Sequence, residues 1–363
     1  MADPGMGVEL YTSDTETPEP KKSSIEVSYA VPSMGMDDNE AAVAAALGLI
    51  DKGHGGIERL YWENDPDADW RIFLDSRFIA QPDDFSVSLE ATKPDEKYLT
   101  IEFKYWQSYY HGAGIYYPDR DAYFVLNPEA LLRETKRFKI DYRFLPSDTS
   151  SWKLEYSLFH RKGESLSTRF GDDYQYRVTG LKSRGIVPAL NAGEEEVHTV
   201  DFEYKNQDEV DRKGFRVHFQ RRESDRSRVA QRGVSDPSAT RYQRQDEVSK
   251  DDLYGLSAFK RKQLTDSMYG SIGVAFTRLD GDITGSRVFG ADPEASYNID
   301  FAASQLDDRG YLDLDADRMV KQWIVNANVV YDPEGNHRWM AGTRFERMES
   351  SLFSSYLDTW NTV

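Results

Sequence analysis

Six histidines are the first residues to weigh for chemistry: His54, His111, His160, His198, His218 and His337. None falls in an HExxH pair or a clustered ligand spacing, so the sequence supports no zinc centre. The acidic run Glu63-Asn-Asp65-Pro-Asp67-Ala-Asp69 sets oxygens at alternate positions, as a calcium loop does. It lacks a Gly after Asp69 and places Ser76, not Glu, twelfth from Asp65, so the EF-hand fails. Asp313, Asp315 and Asp317 alternate too, as do Asp280 and Asp282, in stretches read as solvated loops. Carboxylates are so common that no two can be chosen as a glycosidase couple, since that chemistry depends on separation in space. Neither a Gly-x4-Gly-Lys-Ser/Thr loop nor a Gly-x-Gly-x-x-Gly fingerprint occurs. The chain has no cysteine, which removes disulfides, thiolate metal sites, a Cys nucleophile and covalent c-type haem. The expectation is no catalytic residue, no cofactor, no metal and no enzyme.

The elements that carry these residues are legible from composition and period. The 363 residues hold 45 basic and 63 acidic side chains, a formal net charge of −18. That argues against a nucleic-acid partner, because phosphate neutralisation needs a basic stripe. The 22 Tyr, 18 Phe and 7 Trp are too many for a solvated coil, despite a mean hydropathy of −0.69. Residues 1–23 are polar, lack the basic start and apolar run of a signal peptide, and read as a disordered tail. The most apolar stretch, Ala41–Ile50, is about half the ~20 residues a spanning helix needs. With Asp37, Asp38, Asn39 and Glu40 before it, this stretch reads as a short capped helix, an insert near 38–50. A second helical turn is expected at Pro128–Glu134.

Strict alternation dominates the rest. Phe138, Ile140, Tyr142 and Phe144 share one face, against Arg137, Lys139, Asp141 and Arg143 on the other. Trp152, Leu154, Tyr156 and Leu158 oppose Lys153 and Glu155. Val200, Phe202 and Tyr204 oppose Asp201 and Glu203; Phe215, Val217 and Phe219 oppose Arg216 and His218. Phe85–Thr92 and Tyr98–Ser108 repeat the pattern, and Ile25–Val31, Trp70–Ile79, Asp252–Lys260, Tyr269–Arg278, Gln322–Tyr331 and Arg338–Glu346 add to it. Ile57–Glu63 is weaker. Apolar residues at i and i+2 cannot share a helical face, so these are strands. Short turn-like links alternate with long polar stretches: Tyr109–Lys136, Lys162–Val197, Glu223–Asp251 and Leu279–Lys321. The consecutive short links Ala80–Asp84 and Lys93–Lys97 break that alternation early in the chain. Trp70, Trp152, Trp323 and Trp339 sit at or beside strand starts on the apolar face, as an aromatic girdle would.

The predicted fold is therefore all-β: an antiparallel up-and-down transmembrane β-barrel of about 12–14 strands over 24–348, or an incomplete part of a larger one. Residues 349–363 read as a loop or the start of a further strand, truncated. The sequence resembles large outer-membrane barrels of the electron-conduit porin family, which ensheath multihaem cytochromes, and related uncharacterised outer-membrane barrels. The resemblance rests on hairpins such as RFKIDYRFLPSDTSSWKLEYSLFHR (137–161) and on the phrases GLKSRGIVPAL (180–190) and DGDITGSRVFGADPEASY (280–297). It implies a barrel sleeve for a partner protein, while the N-terminal Cys pair that such barrels can carry is absent.

In that reading the partners are the lipid bilayer of a Gram-negative-type outer membrane and a periplasmic or lumen-inserted protein. Arg137, Lys139, Asp141, Arg143, Lys153, Glu155, Asp201, Glu203, Arg216 and His218 line the lumen. Phe138, Ile140, Tyr142, Phe144, Trp152, Leu154, Tyr156, Leu158, Val200, Phe202, Tyr204, Phe215, Val217 and Phe219 face lipid. The function expected is a passive pore or a partner's sleeve. The rivals are a secreted β-sandwich or propeller binding polysaccharide and, behind it, a carbohydrate-active enzyme on a β scaffold. The discriminating observation is what covers Phe138, Ile140, Tyr142 and Phe144.

Overall fold

The computed structural model describes residues 23–30, 54–67, 69–80, 84–110, 116–117, 122–123, 131–172, 184–208, 210–232, 241–290, 311–333 and 338–358. The expected helical insert near 38–50 and nearly all of the N-terminal tail lie outside these residues. Thirteen strands form one antiparallel sheet in strict chain order, as the alternation predicts. They are β1 (Ser23–Ala30), β2 (His54–Asp67), β3 (Trp70–Ala80), β4 (Asp84–Lys93), β5 (Lys97–Tyr110), β8 (Leu131–Ser147), β9 (Ser150–Asp172), β10 (Arg184–Gln207), β11 (Arg212–Arg232), β12 (Arg241–Thr265), β13 (Met268–Gly290), β14 (Tyr311–Tyr331) and β15 (Trp339–Asp358). Between β5 and β8, Tyr116–Tyr117 (β6) and Ala122–Tyr123 (β7) pair as a small separate hairpin. β1 and β15 are each paired on one side, and no pairing joins them among the described residues.

Several elements differ from expectation. The weak candidate at Ile57–Glu63 is a full strand, β2, fourteen residues long. Its alternation is blurred by register shifts against both neighbours, between Glu26 and Val27 and between Ile57 and Leu60. With β2 in place, the link 81–83 falls on the rim opposite the 94–96 turn, so the early strands keep the up-and-down order. One rim carries the links at 68–69, 94–96, 148–149, 208–211, 266–267 and 332–338 (the turn rim). The other carries the remaining links, which apart from 81–83 are longer (the loop rim).

Much of what reads as long loop is strand. β9 runs on to Asp172, β10 starts at Arg184, β11 ends at Arg232 and β12 starts at Arg241. These extensions mix polar residues at both odd and even positions with an unalternating apolar run, Ile186 to Leu190, so they show no period, yet their backbone ladders continue residue for residue. The turn expected at Pro128–Glu134 is replaced from Leu131 by the start of β8. Residues 349–358, expected as a loop or new strand start, continue β15. The alternating acids are extended as well: Asp280 and Asp282 lie in β13, Asp313, Asp315 and Asp317 in β14, and Glu63–Asp67 in β2. Extended backbone strings these acids along a strand instead of wrapping them around one point, as the loop of an EF-hand does.

Turn-rim backbone bonds tie neighbouring hairpins together. The Leu145 amide donates to the Glu96 carbonyl (2.7 Å), and the Gln207 amide to the Thr149 carbonyl (2.6 Å).

Candidate functional site

The sheet has a first face, carrying Phe138, and a second face, carrying Arg137. On the first face the expected apolar residues fall opposite one another across the register. Phe138, Ile140, Tyr142 and Phe144 pair with Leu158, Tyr156, Leu154 and Trp152. Tyr156, Leu154 and Trp152 then pair with Val200, Phe202 and Tyr204, which pair with Phe219, Val217 and Phe215. The belt continues through Tyr254, Leu256 and Ala258 to Phe276 and Val274, then Trp323 and Val325, and back through Leu99, Ile101 and Phe103 to Leu89 and Val87. Ring contacts run along it: Trp152 lies 4.3 Å from Tyr204, and Phe276 4.4 Å from Trp323.

No second sheet covers this belt among the described residues; strand contacts run essentially between sheet neighbours. Leu154, Leu256 and Trp323 remain 47%, 51% and 52% exposed. The buried hydrophobic residues, Ile79, Ala189, Ala230, Val288, Leu312 and Ala316, all lie outside the belt rows. A soluble sandwich would bury these belt rows against a partner sheet, and no such layer is present among the described strands. No helix among the described residues is long and apolar enough to cross a membrane, which is silent about crossing by strands.

The belt runs obliquely to the hydrogen-bonded rows. Toward the loop rim, its first charged or imidazole-bearing residues are Lys136 and His160, which pair. Next come His198, Arg221 and Asp252, which form one row two residues nearer the turn rim. Arg278 and Lys321 pair two residues further down, and Arg347 of β15 two further again. The opposite border moves the same way, from the Phe144–Trp152–Tyr204–Phe215 row to the Met268–Tyr331–Trp339 row. A six-residue drop of ~20 Å across six or seven strand spacings of ~4.8 Å gives a strand tilt of roughly 30–35° against the belt. Closed barrels need strand tilts of about 35–45°.

The second face of the belt holds the residues expected to line a lumen. Lys153 contacts Glu155 (2.7 Å) and Asp141 (3.0 Å), and Lys139 lies 3.5 Å from Glu155. Asp201 accepts from Arg216 (2.6 Å) and sits 3.0 Å from His218 Nδ1. Glu203 pairs with Lys205 at 2.8 Å. The Arg137 guanidinium stacks over Trp106 and Phe159, and Arg143 stands opposite Lys153 in the register. These pairs are partly exposed and alternate in sign, so each contributes only about 0.2–1 kcal/mol. Their collective effect is a polar wall of low net charge.

Between the belt and the loop rim the strands form a collar whose second face is rich in arginine. Glu195 receives Arg161 at 2.7 Å and Arg222 at 2.6 Å, with Arg226 at 3.7 Å. Partial burial pushes the Glu195 carboxyl up, but the three guanidiniums outweigh it and hold the group below its ordinary range. Arg133 and Arg228 lie nearby, and Arg318 pairs with Asp251 at 2.6 Å. The first face of the collar is acidic around Asp282, whose carboxyl is raised first by desolvation, then by its hydrogen bond and charge interaction with Asp317. Sequence reading missed the arginine cluster, because Arg161 and Arg222 close segments read as strands while Arg133, Glu195, Arg226 and Arg228 lie in stretches that looked like loops.

No family model and no curated protein matches this chain. Among solved structures it is similar to the ferric yersiniabactin uptake receptor FyuA from Yersinia pestis, with 11% identity and a TM-score of 0.43. The match covers 82% of this chain and 52% of that one, so the chain spans about half the receptor's length.

Proposed function

We propose that this chain forms the wall of an outer-membrane β-barrel that acts as a passive pore or as a sleeve around a partner protein. The observation that carries the reading is the uncovered belt, which crosses the strands at a slant of barrel magnitude. Lipid is the solvent that such a face requires, and full backbone pairing within the sheet is what lipid demands of it. The mixed ladder Lys139–Asp141–Lys153–Glu155 on the other face then borders a wet passage, with no strong preference for either ion sign. The reading involves no catalytic chemistry.

The test is purification of the full chain followed by reconstitution into planar bilayers. The expected protein needs detergent to stay in solution and inserts into bilayers. An open passage gives weakly selective conductance, and a sleeve conducts little until its partner is removed. A detergent-free monomer that neither binds vesicles nor conducts would overturn the proposal.

A further inference from the structure

We infer that a trough on the second face of the collar, floored by Gly163 and Gly193, binds a small oxyanion carrying two or more negative charges, such as a diphosphate or a polycarboxylate. The register builds it: Arg133, Gly163, Gly193 and Arg226 stand side by side in one row across β8, β9, β10 and β11. The two central positions cannot carry side chains. A Cβ on Gly163, whose φ is +141°, would lie 2.1 Å from the Leu132 carbonyl oxygen; one on Gly193 would lie 2.6 Å from that of Asp225. The floor is therefore bare backbone between two guanidiniums.

The flanking rows close the walls. On the loop side Ser165, Asn191 and Arg228 are in register, and on the turn side Arg161 faces Glu195. The trough, open on one side, offers about 430 Å³, within the ~300–1,000 Å³ typical of small-molecule pockets. Arg133, Arg161, Arg226 and Arg228 bring four positive charges to it. Glu194, Glu195 and Glu247 also border the space and offset them in part; Glu194 is engaged by Lys162 and His160, and Glu247 accepts from Gln245 and Tyr311.

Glu195 shows what this environment does to an oxyanion, because guanidinium forks surround its carboxylate and keep it ionised. Planar forks match carboxylate and phosphate oxygens two at a time, which makes a polyanion the fitting guest. A positive pocket in a chain of net charge −18 also confines such a guest to this place. The inference stands on the register of the collar and goes beyond the pore or sleeve assignment.

Calorimetric titration of the detergent-solubilised full chain with inorganic pyrophosphate at low ionic strength tests it. Saturable binding is expected, stronger than for inorganic phosphate. The double variant Arg226→Gln/Arg228→Gln should weaken it by about tenfold or more, the scale of one lost charge-assisted contact. Glu195→Gln should tighten binding, because it removes the resident competitor, and Lys139→Gln in the belt should leave it unchanged. Arg228→Lys, which keeps charge and loses the fork, gives an intermediate loss and serves as a second arm should the double variant misfold. No saturable heat with the unaltered chain, or equal binding by the folded arginine variants, would overturn the inference.

Discussion

The belt and the collar belong to the same strands and differ in almost everything but backbone pairing. In the belt, side chains sort strictly by face: Leu154 and Phe202 on one side, Lys153 and Glu203 on the other. In the collar both faces carry charge, Glu194 and Lys162 on the first and Arg161 and Glu195 on the second, and the few apolar residues, such as Ala189 and Ala230, are buried instead of forming a belt. The ladders run through the boundary without a break. Hydrogen bonding thus fixes where strands exist, while the surrounding medium decides which side chains they can carry. A period-two pattern reports that medium more than it reports the strand.

The largest expected effect separates the two regions directly. Leu154→Arg, in the belt, should destabilise the folded protein in lipid vesicles by about 2–4 kcal/mol, the cost of a cation near the bilayer midplane. Val248→Arg, on the same face of the collar and also exposed, should change stability by no more than about 0.5 kcal/mol. Urea titration of the vesicle-bound protein measures both, and equal costs would erase the distinction.

Next in size are the glycines. Gly163→Ala should cost roughly 1–3 kcal/mol, because it adds a methyl against the Leu132 carbonyl at a backbone angle that disfavours side chains. Gly273→Ala in the belt meets nothing nearer than 3.9 Å and should be neutral or stabilising by up to about 1 kcal/mol. The same titration applies.

Acid should loosen the β9–β11 part of the collar. The Glu195 carboxyl is held below its ordinary range when folded. Its contribution is therefore present above the unfolded value and lost as pH falls through the folded one. Asp282 has the opposite sign: its raised carboxyl favours the fold most when protonated, and that help disappears as pH rises through the raised value. Hydrogen exchange of β9–β11 collar amides should accelerate on acidification, and Glu195→Gln should reduce that pH dependence, leaving the share of Glu194, which His160 and Lys162 also hold below its ordinary range. Asp282→Asn should raise protection of the β13–β14 collar at neutral pH.

The smallest effect concerns the ladder in the belt. Lys139→Gln removes one charge from a wall that is nearly neutral, so the reversal potential in a salt gradient should move slightly toward cations. A large swing would show that this residue controls the passage alone.

The belt was legible because one medium wets each face, so Phe138 to Phe144 and Arg137 to Arg143 announce their sides. The collar was not, since Lys162 to Asp172 and Glu223 to Arg232 place polar residues at both odd and even positions and give no period to read. β2 was faint for a third reason: Gly55, Gly56 and a register shift interrupt the alternation just where Ile57 begins it. The face of each residue in the ladder from Arg137 to His218 followed from sequence, but its partners did not. Arg216 with Asp201, or Lys139 with Glu155, depends on register. The arginines around Glu195 lay deeper still, because only pairing across β9, β10 and β11 brings 161, 195, 222 and 226 together.

Among the described residues β15 leaves the margin of Trp339–Asp358 unpaired. Only the part below Arg347, from Trp339 to Glu346, belongs to the belt. If lipid wets that belt, these are the amides and carbonyls that water cannot reach, and any closing seam has to claim them first. The collar portion, bordered by water, tolerates an open margin far better.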